Sequence, residues 1–566
     1  MMLFRHALSR RDAFLILLGA SSMHIWSLLF RQVPSEQSIV INTHLMHDQP
    51  GTDQAALKAA VPPPPQAYSA TFTNTITTTT TRTVTRDLIP TTVPAVLSSD
   101  TRVSIDVSRE LPHTSIVAHA PGWTLFRNLY MSNGTLFVVT DDISQFPEIR
   151  MMTSTGLAAV NTPENIAARE PTKENMDFLT PEQAQTRWGG DVKKGEKNRV
   201  WSIEGNTLLF NDPSQFLRHY YHFVAELFFG VQAFWHGAFS KPTSSPSDTY
   251  ALVHPSPPPV TRAIFTHSNA DGWRDGPGFN AYFLRGAFPS LTVEMQEDWD
   301  DRIATTRIGT RDRAWHFPLV LLTDRSAAHR GTVCGSQTQR TAAEAWSYMK
   351  DHQQLQGMHV GGWWEPVRSA IWRFSGSQLP MLSAASVVSS PNQELMDVGV
   401  EAQKSLGMPE KVVVTYISRQ GVARRKLIAE DHAVLVAGLK DMADRRGWEL
   451  NVLQAEKMTK DEQVQAAAKT TILLGVHGNG LTHLVWMPPT RASTVIEMFY
   501  PEGFAHDYQW TTRALGMSHF AVWNDTHRTY PNKPEVNYPE GFQGNEIPVY
   551  APTIIQLIED RVDGKI

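Results

Sequence analysis

The stretch KVVVTYIS at residues 411–418 decides the fold, because it is a continuous β-branched run of the kind buried on both faces of a parallel sheet. Further strands are predicted along the chain at 449–453, 471–475 and 493–499. Helices are predicted between and after them at 431–445, 460–468, 480–486 and 505–515. This alternation predicts a doubly wound α/β domain, in which ligands bind at the carboxyl ends of the strands.

A glycine-rich turn, GVHGNGLT at 475–482, follows the strand predicted at 471–475. Glycine allows the backbone to come close to a ligand, and the N–H groups at a helix start suit a diphosphate. The candidate diphosphate-binding residues of this turn are His477, Gly478, Asn479, Gly480, Leu481 and Thr482. A tight structural turn around a hydrogen-bonded histidine is the alternative interpretation.

Charged residues follow two of the predicted strands. Arg419 comes directly after the strand at 411–418, and Arg424 and Arg425 come a few residues later. Guanidinium groups there can bind a phosphate through paired hydrogen bonds. Glu497 lies near the end of another strand, where a buried carboxylate needs a partner. We expect that partner to be a nucleoside-sugar hydroxyl; a solvated basic turn and a structural salt bridge are the alternatives.

A histidine and a glutamate four residues apart lie in an aromatic-rich segment, 216–234, that is predicted as one helix. The segment contains HYYHFVAE at 219–226, in which His222 and Glu226 share a helix face. A carboxylate can orient an imidazole and raise its basicity, as a general base requires. Their roles could be exchanged, and a polar patch on a core helix is the alternative. The H-E-x-x-H pattern of zinc hydrolases is absent from the sequence.

Composition argues against several classes of function. The chain has 566 residues, a formal net charge of -5 and one cysteine, Cys334, so an intrachain disulfide is excluded and no nucleic-acid partner is expected. Asp298-Trp299-Asp300 has a spacing that binds divalent cations in many proteins, but it lies in an acidic run typical of a solvated surface. We therefore predict no metal site and no cofactor.

The N-terminal region predicts attachment to a membrane. Three arginines precede an apolar run at 13–30. This arrangement predicts a cytoplasmic tail at 1–12 and an uncleaved signal anchor at 13–30, with the remaining chain in the lumen. A cleaved signal peptide is the alternative.

A stem and two possible glycosylation sites agree with a lumenal location. Residues 31–110 are rich in proline and threonine, which predicts an extended stem. Asn133 and Asn524 begin N-glycosylation sequons.

Four segments agree in order and spacing with one known family. They are HYYHFVAE (219–226), ISRQGVARRKL (417–427), GVHGNGLTHLVWMPP (475–489) and VIEMF (495–499). With them the chain resembles glycosyltransferase family 61 over about residues 115–530, particularly its fungal members and the group that transfers N-acetylglucosamine or xylose.

The sequence departs from the family pattern at a few positions. The family's motif usually reads G-x-H-G-A-G-L-T-N, whereas this chain has Asn479 for the alanine and His483 for the final asparagine. The family often has an asparagine shortly after the paired arginines, where this chain has Ala429 and Glu430.

The resemblance implies a GT-B fold, in which two Rossmann-like domains face a cleft. We expect an acceptor-side α/β domain at 111–395 and a nucleotide-sugar-binding domain at 396–566. The family typically inverts the anomeric centre and uses a nucleotide sugar without a catalytic metal. We therefore expect transfer from a UDP-sugar to a glycan or glycoprotein hydroxyl, in the membrane of the Golgi or endoplasmic reticulum.

The resemblance also implies roles for the candidate residues. His222, supported by Glu226, would deprotonate the acceptor, and His219 would at most line the site. The turn at 477–482 and the arginines would hold the diphosphate, and Glu497 would contact the nucleoside sugar.

Two other classes of function stay open. One is a non-catalytic glycan-binding protein on the same fold, suggested by Asn479 and His483. The other is a glycoside hydrolase, which needs two carboxylates across a sugar site. The candidate pair, Glu226 and Glu497, is predicted to lie in different domains.

Overall fold

The computed structural model describes residues 106–160, 162–239, 257–307, 312–327, 345–349, 351–352, 361–377, 406–532 and 534–566. The predicted tail and anchor, most of the predicted stem, and Cys334 lie outside these residues. Within them, no helix has both the length and the apolar character needed to span a membrane. The anchor therefore stays a prediction.

A mixed sheet forms the first half of the described chain. Its strands are β1 Ser115–Ala120, β2 Trp123–Ser132, β3 Thr135–Val139, β4 Met176–Leu179, β5 Val200–Ser202, β6 Asn206–Pro213, β7 Val260–His267, β8 Thr292–Glu294 and β9 Ala314–Thr323. The order is β4-β3-β2-β9-β6-β7-β8, with β1 on β2 and β5 on β9. Strands β9, β6 and β7 are parallel, so their carboxyl ends share one edge of the sheet.

A second sheet forms the C-terminal half. Its strands are β10 Val413–Ile417, β11 Glu449–Leu453, β12 Ile472–Val476, β13 Thr494–Met498, β14 Ser518–Trp523 and β15 Thr526–Thr529. The order is β11-β10-β12-β13-β14-β15, and every pair except β14–β15 is parallel. The predicted α/β class and the strands predicted here are confirmed. The strand order reverses between β10 and β12, which is where open α/β sheets bind ligands.

Helices pack on both sheets. The α-helices are Ile149–Met152, Pro163–Ala168, Pro181–Trp188, Ser214–Leu217, Phe229–Phe239, Phe279–Ala287, Gln296–Thr306, Glu365–Phe374, Ala429–Arg446, Lys460–Ala467, Asp507–Ala514 and Ala551–Val562. The 3-10 helices are Ile143–Gln145, Val192–Lys194, Gly362–Trp364, Ala455–Lys457 and Asn479–Trp486. Local signals set the ends: Thr459 and Glu462 form a capping box, and Gly447 ends the longest helix at φ 65°.

Two predicted helices differ from the structure. The segment predicted as one helix over 216–234 consists of Ser214–Leu217, a π-helix at Tyr221–Phe228, and Phe229–Phe239. The helix predicted at 480–486 is a 3-10 helix. Aromatic periodicity does not distinguish i→i+4 from i→i+5 hydrogen bonding, so the sequence pattern could not show the π-helix.

One aromatic-rich core joins the flanks of both sheets. Phe223 and Phe283 belong to the same buried cluster as Ile417 of β10. Trp364 and Trp486 stack with ring centroids 5.9 Å apart, and Phe283 lies 6.1 Å from Trp486. This core fixes the π-helix against the turn that follows β12, and residues 98–566 form one compact unit.

Candidate functional site

The π-helix presents His222 and Glu226 as a hydrogen-bonded pair. His222 Nδ1 lies 2.7 Å from Glu226 Oε2. The Glu226 side chain is fully buried, whereas the His222 side chain keeps 24% of its surface exposed. The pair has the geometry of an imidazole oriented by a buried carboxylate.

A buried arginine lies behind this pair. Arg325 Nη1 donates to Glu226 Oε2 at 3.0 Å and to the His222 carbonyl oxygen at 3.0 Å. Arg325 Nε donates to Asp212 Oδ1 at 2.5 Å. Asp212 and Arg325 lie at the carboxyl ends of the parallel strands β6 and β9, which explains why they meet. The arginine fixes both the side chain of Glu226 and the backbone of His222.

The electrostatic balance favours a basic imidazole. Burial lowers the pKa of His222, but the charge and hydrogen bond of Glu226 more than offset this effect, so the pKa is raised above its ordinary value. The histidine can therefore take up a proton readily. The general-base geometry predicted for this pair is present, although its catalytic role stays a prediction.

Two of the three predicted arginines meet at the glycine turn. A Cβ atom on Gly478 would lie 3.1 Å from Arg425 Nη1 and 3.4 Å from Arg419 Nη1. Gly478 has φ 151°, a conformation that other residues rarely adopt. Arg425 also donates to the His477 carbonyl oxygen at 3.2 Å. Arg424 is exposed, and its carbonyl oxygen accepts a hydrogen bond from Arg419.

The rest of the predicted turn serves packing. A Cβ atom on Gly480 would approach Ile417 Cγ2 to 3.0 Å, so the glycine allows the turn to pack closely against β10. The side chains of Leu481 and Thr482 are fully buried. These residues can contribute only backbone groups to a ligand.

Glu497 holds His477 and does not face the solvent. Its Oε1 lies 2.5 Å from His477 Nδ1, and its Oε2 lies 2.7 Å from His519 Nε2. Burial raises the pKa of Glu497 well above its ordinary value, and burial lowers that of His477 well below its own. With both oxygens engaged and no exposed surface, Glu497 orients His477 in this structure; the geometry does not favour the expected contact with a nucleoside sugar.

The two departures from the family's glycine motif face the π-helix. Asn479 Oδ1 accepts a hydrogen bond from the Tyr221 backbone N–H at 3.2 Å. His483 Nε2 lies 2.9 Å from Gln463 Oε1, and its Nδ1 lies 3.5 Å from the Tyr220 hydroxyl. Asn479 and His483 therefore attach the turn to the π-helix.

Asp507 lies next to both parts of the site, the π-helix with His222 and the glycine-rich turn with His477. The sequence analysis does not predict it. Its carbonyl oxygen accepts a hydrogen bond from the Tyr221 hydroxyl at 2.5 Å, and its Oδ2 lies 3.8 Å from His477 Nε2. Burial raises the pKa of Asp507 to about 7, against the opposing charges of His222 and Arg425. The Asp507 carboxyl group thus interacts electrostatically with His222 on the π-helix and with Arg425 beside the glycine-rich turn.

Sequence reasoning also missed Asp212 and Arg325. The signal was present, because Arg325 follows the apolar strand β9 by two residues and Asp212 lies at the end of β6. Charged residues at the carboxyl ends of parallel strands lie where α/β sheets bind ligands, as Arg419 also does.

The remaining predicted sites lie apart from this cluster. Asp298 and Asp300 belong to the helix Gln296–Thr306, where Asp298 Oδ2 accepts from the Met295 N–H at 2.8 Å. Among the described residues, no group of three or more potential ligands is arranged to hold a metal ion. Asn133 and Asn524 lie in exposed strand-to-strand turns with φ 57° and 50°. Glycosylation there stays a prediction.

Comparisons with known proteins place the chain among glycosyltransferases. A family model described as Glycosyltransferase 61 matches residues 220–496. Over 155 residues the chain is 27% identical to an EGF domain-specific O-linked N-acetylglucosamine transferase of Drosophila melanogaster. That alignment covers 27% of this chain and 28% of the length of that protein. The segment matched by the family model includes His222, Arg419 and the glycine turn.

Proposed function

The chain belongs to glycosyltransferase family 61, and on that premise we propose that it transfers a sugar from a nucleotide diphosphate sugar to a hydroxyl group of a glycan or glycoprotein. One observation carries the proposal. The guanidinium groups of Arg419 and Arg425 meet over Gly478, next to the place where the strand order of the second sheet reverses. The pair of His222 and Glu226 is held against the same turn through Tyr221.

The turn suits the leaving diphosphate. Arg419 and Arg425 supply positive charge beside a glycine that lets a ligand approach the backbone. As the bond between the anomeric carbon and the diphosphate oxygen breaks, these groups stabilise the charge that develops on that oxygen. Positive charge from two arginines supports the expectation that no metal is needed.

The π-helix suits activation of the acceptor. His222 takes the proton from the acceptor hydroxyl, whose oxygen attacks the anomeric carbon from the side opposite the diphosphate, so the configuration inverts. Glu226 stabilises the imidazolium that forms, and Arg325 positions Glu226. The exchange of roles between His222 and Glu226 is less favourable, because the Glu226 side chain has no exposed surface.

The finer features follow from the family. We propose the GT-B arrangement, with the first sheet on the acceptor side and the second on the donor side, and anchorage in a Golgi or endoplasmic reticulum membrane. The name of the Drosophila melanogaster relative makes UDP-N-acetylglucosamine the first donor to test.

A non-catalytic glycan-binding protein is the competing proposal. Its main sequence argument was the presence of Asn479 and His483. Both residues contact the π-helix, so they do not argue against a functional donor site.

The test is release of UDP by the purified chain from a panel of UDP-sugars, with glycan and glycopeptide acceptors, with and without EDTA. Arg419→Ala should lower turnover by about 100-fold or more, since it removes a group that stabilises the leaving charge. Arg424→Ala is the matched control, because Arg424 is exposed and lies on the same loop. Ligand-dependent thermal stabilisation without any UDP release would favour the non-catalytic protein.

A further inference from the structure

A cavity of about 180 Å³ lies on the face of the first sheet opposite the π-helix. It is formed between β6, β7 and the helix Gln296–Thr306. Leu209 and Leu322, which line it, belong to a different core cluster from the one that contains Phe223. The cavity is therefore separate from the transfer site already described.

Its polar groups are held in fixed orientations. Asn211 Nδ2 donates to Asp324 Oδ2 at 2.7 Å, so its Oδ1 is turned toward His267 Nε2, which lies 2.9 Å away. Asn211 Oδ1 can only accept, so His267 Nε2 must carry the hydrogen. Burial lowers the pKa of His267, so the ring is neutral and its Nδ1 is an acceptor.

The chemistry of the lining selects a neutral ligand with hydroxyl groups. Among the residues that the structure describes, no lysine or arginine lines the cavity, and Asp300 contributes a carboxylate, so phosphates and nucleotides are disfavoured. Asp300 and His267 both line the cavity and carry acceptor atoms, which suit hydroxyl donors. Trp299, Ile303 and Leu209 provide an apolar wall for the C–H face of a ring.

The size of the cavity agrees with this ligand. Its volume corresponds to roughly six water molecules at about 30 Å³ each, which is comparable with one monosaccharide ring. We propose that the cavity between β6, β7 and the helix Gln296–Thr306 binds one neutral sugar residue. This site goes beyond the proposed transfer reaction and does not depend on it.

The test measures binding of methyl glycosides of N-acetylglucosamine, xylose, glucose, galactose and mannose to the purified full-length chain by saturation-transfer NMR. At least one glycoside should bind. Asp300→Ala should weaken that binding at least about fivefold, as expected for the loss of a charge-assisted hydrogen bond. Asp301→Ala is the matched control, because Asp301, like Asp300, is an exposed carboxylate on the same helix but does not line the cavity.

Two further variants separate this site from others. Ile303→Phe fills the cavity and should also weaken binding, whereas Arg419→Ala should leave it unchanged. Comparing the free glycoside with the same sugar at the end of an oligosaccharide distinguishes a small metabolite from a residue of a glycan; tighter binding of either one still supports the site. Failure of every glycoside to bind would refute the proposal. So would an affinity that is unchanged in both Asp300→Ala and Ile303→Phe, or binding that is lost in Arg419→Ala. UDP release in the wild type is recorded separately, so failure of one proposal does not imply failure of the other.

Discussion

Replacement of Glu226 by glutamine tests whether the buried carboxylate works through His222. The substitution keeps the volume and removes the charge. Loss of a hydrogen bond to a charged group costs about 1.5–3 kcal/mol. Arg325 keeps its bond to Asp212 at 2.5 Å, so the cost should stay below the 3–5 kcal/mol of breaking a buried ion pair. We expect a loss of about 2 kcal/mol in the free energy of unfolding, measured with urea.

The effect on turnover should be larger and should depend on pH. Without the charge of Glu226, burial and the nearby Arg325 outweigh the remaining attraction of Asp507, so the pKa of His222 falls. The reaction needs neutral His222, so the acidic limb of the kcat profile should move to lower pH. The weaker base should lower the plateau by about 100-fold, within the range that general-base catalysis supplies.

A matched control separates stability from catalysis. Glu294 is also a buried carboxylate that pairs with two arginines, Arg262 and Arg302, but it lies on β8 away from the site. Glu294→Gln should reduce stability by a similar amount and leave kcat and its pH profile unchanged. An unmoved acidic limb in Glu226→Gln would refute the argument that Glu226 acts through His222.

Three further variants test other parts of the site. Gly478→Ala should weaken UDP binding about tenfold or more in a calorimetric titration, because its Cβ would crowd Arg425 in a strained backbone conformation; undiminished affinity would contradict this. Asn479→Ala restores the family residue but leaves the Tyr221 N–H without its acceptor, so urea unfolding should show a loss of about 1–3 kcal/mol with little change in donor preference. Burial raises the pKa of Asp507 to about 7, so the native state keeps a proton that the unfolded state releases near pH 4. The free energy of unfolding therefore falls as the pH rises from about 4 to 7. Asp507→Asn should therefore be more stable than the wild type at pH 8 but not at pH 4, and equal stability at pH 8 would contradict the shift.

The strands β10 to β13 are predictable from the sequence because they are short runs separated by helical segments, whereas the sequence analysis does not predict β14 and β15. The observed strand Glu449–Leu453 coincides with the predicted one, and β10 and β13 lie within theirs. Continuous burial on both faces makes β10, β12 and β13 easy to recognise.

The first sheet and the inner part of the site are harder to predict. That sheet contains both antiparallel and parallel pairs, and strand pairing over long separations leaves no local signal. Arg325 and Asp212 meet across 113 residues, so only the three-dimensional arrangement identifies them as partners. The position of Glu497 at the end of β13 suggests contact with a ligand. In the structure its two carboxylate oxygens are instead hydrogen-bonded to His477 and His519.

The continuous aromatic core has a consequence for how substrates enter. A hinge rotation of one sheet against the other would separate Trp364 from Trp486, and exposing one such side chain costs about 4–6 kcal/mol for 150–250 Å² of apolar surface. The two sheets should therefore behave as one rigid body. Opening and closing around a substrate must then come from local segments, such as the loop whose Gln543 accepts a hydrogen bond from Arg425 at 2.6 Å.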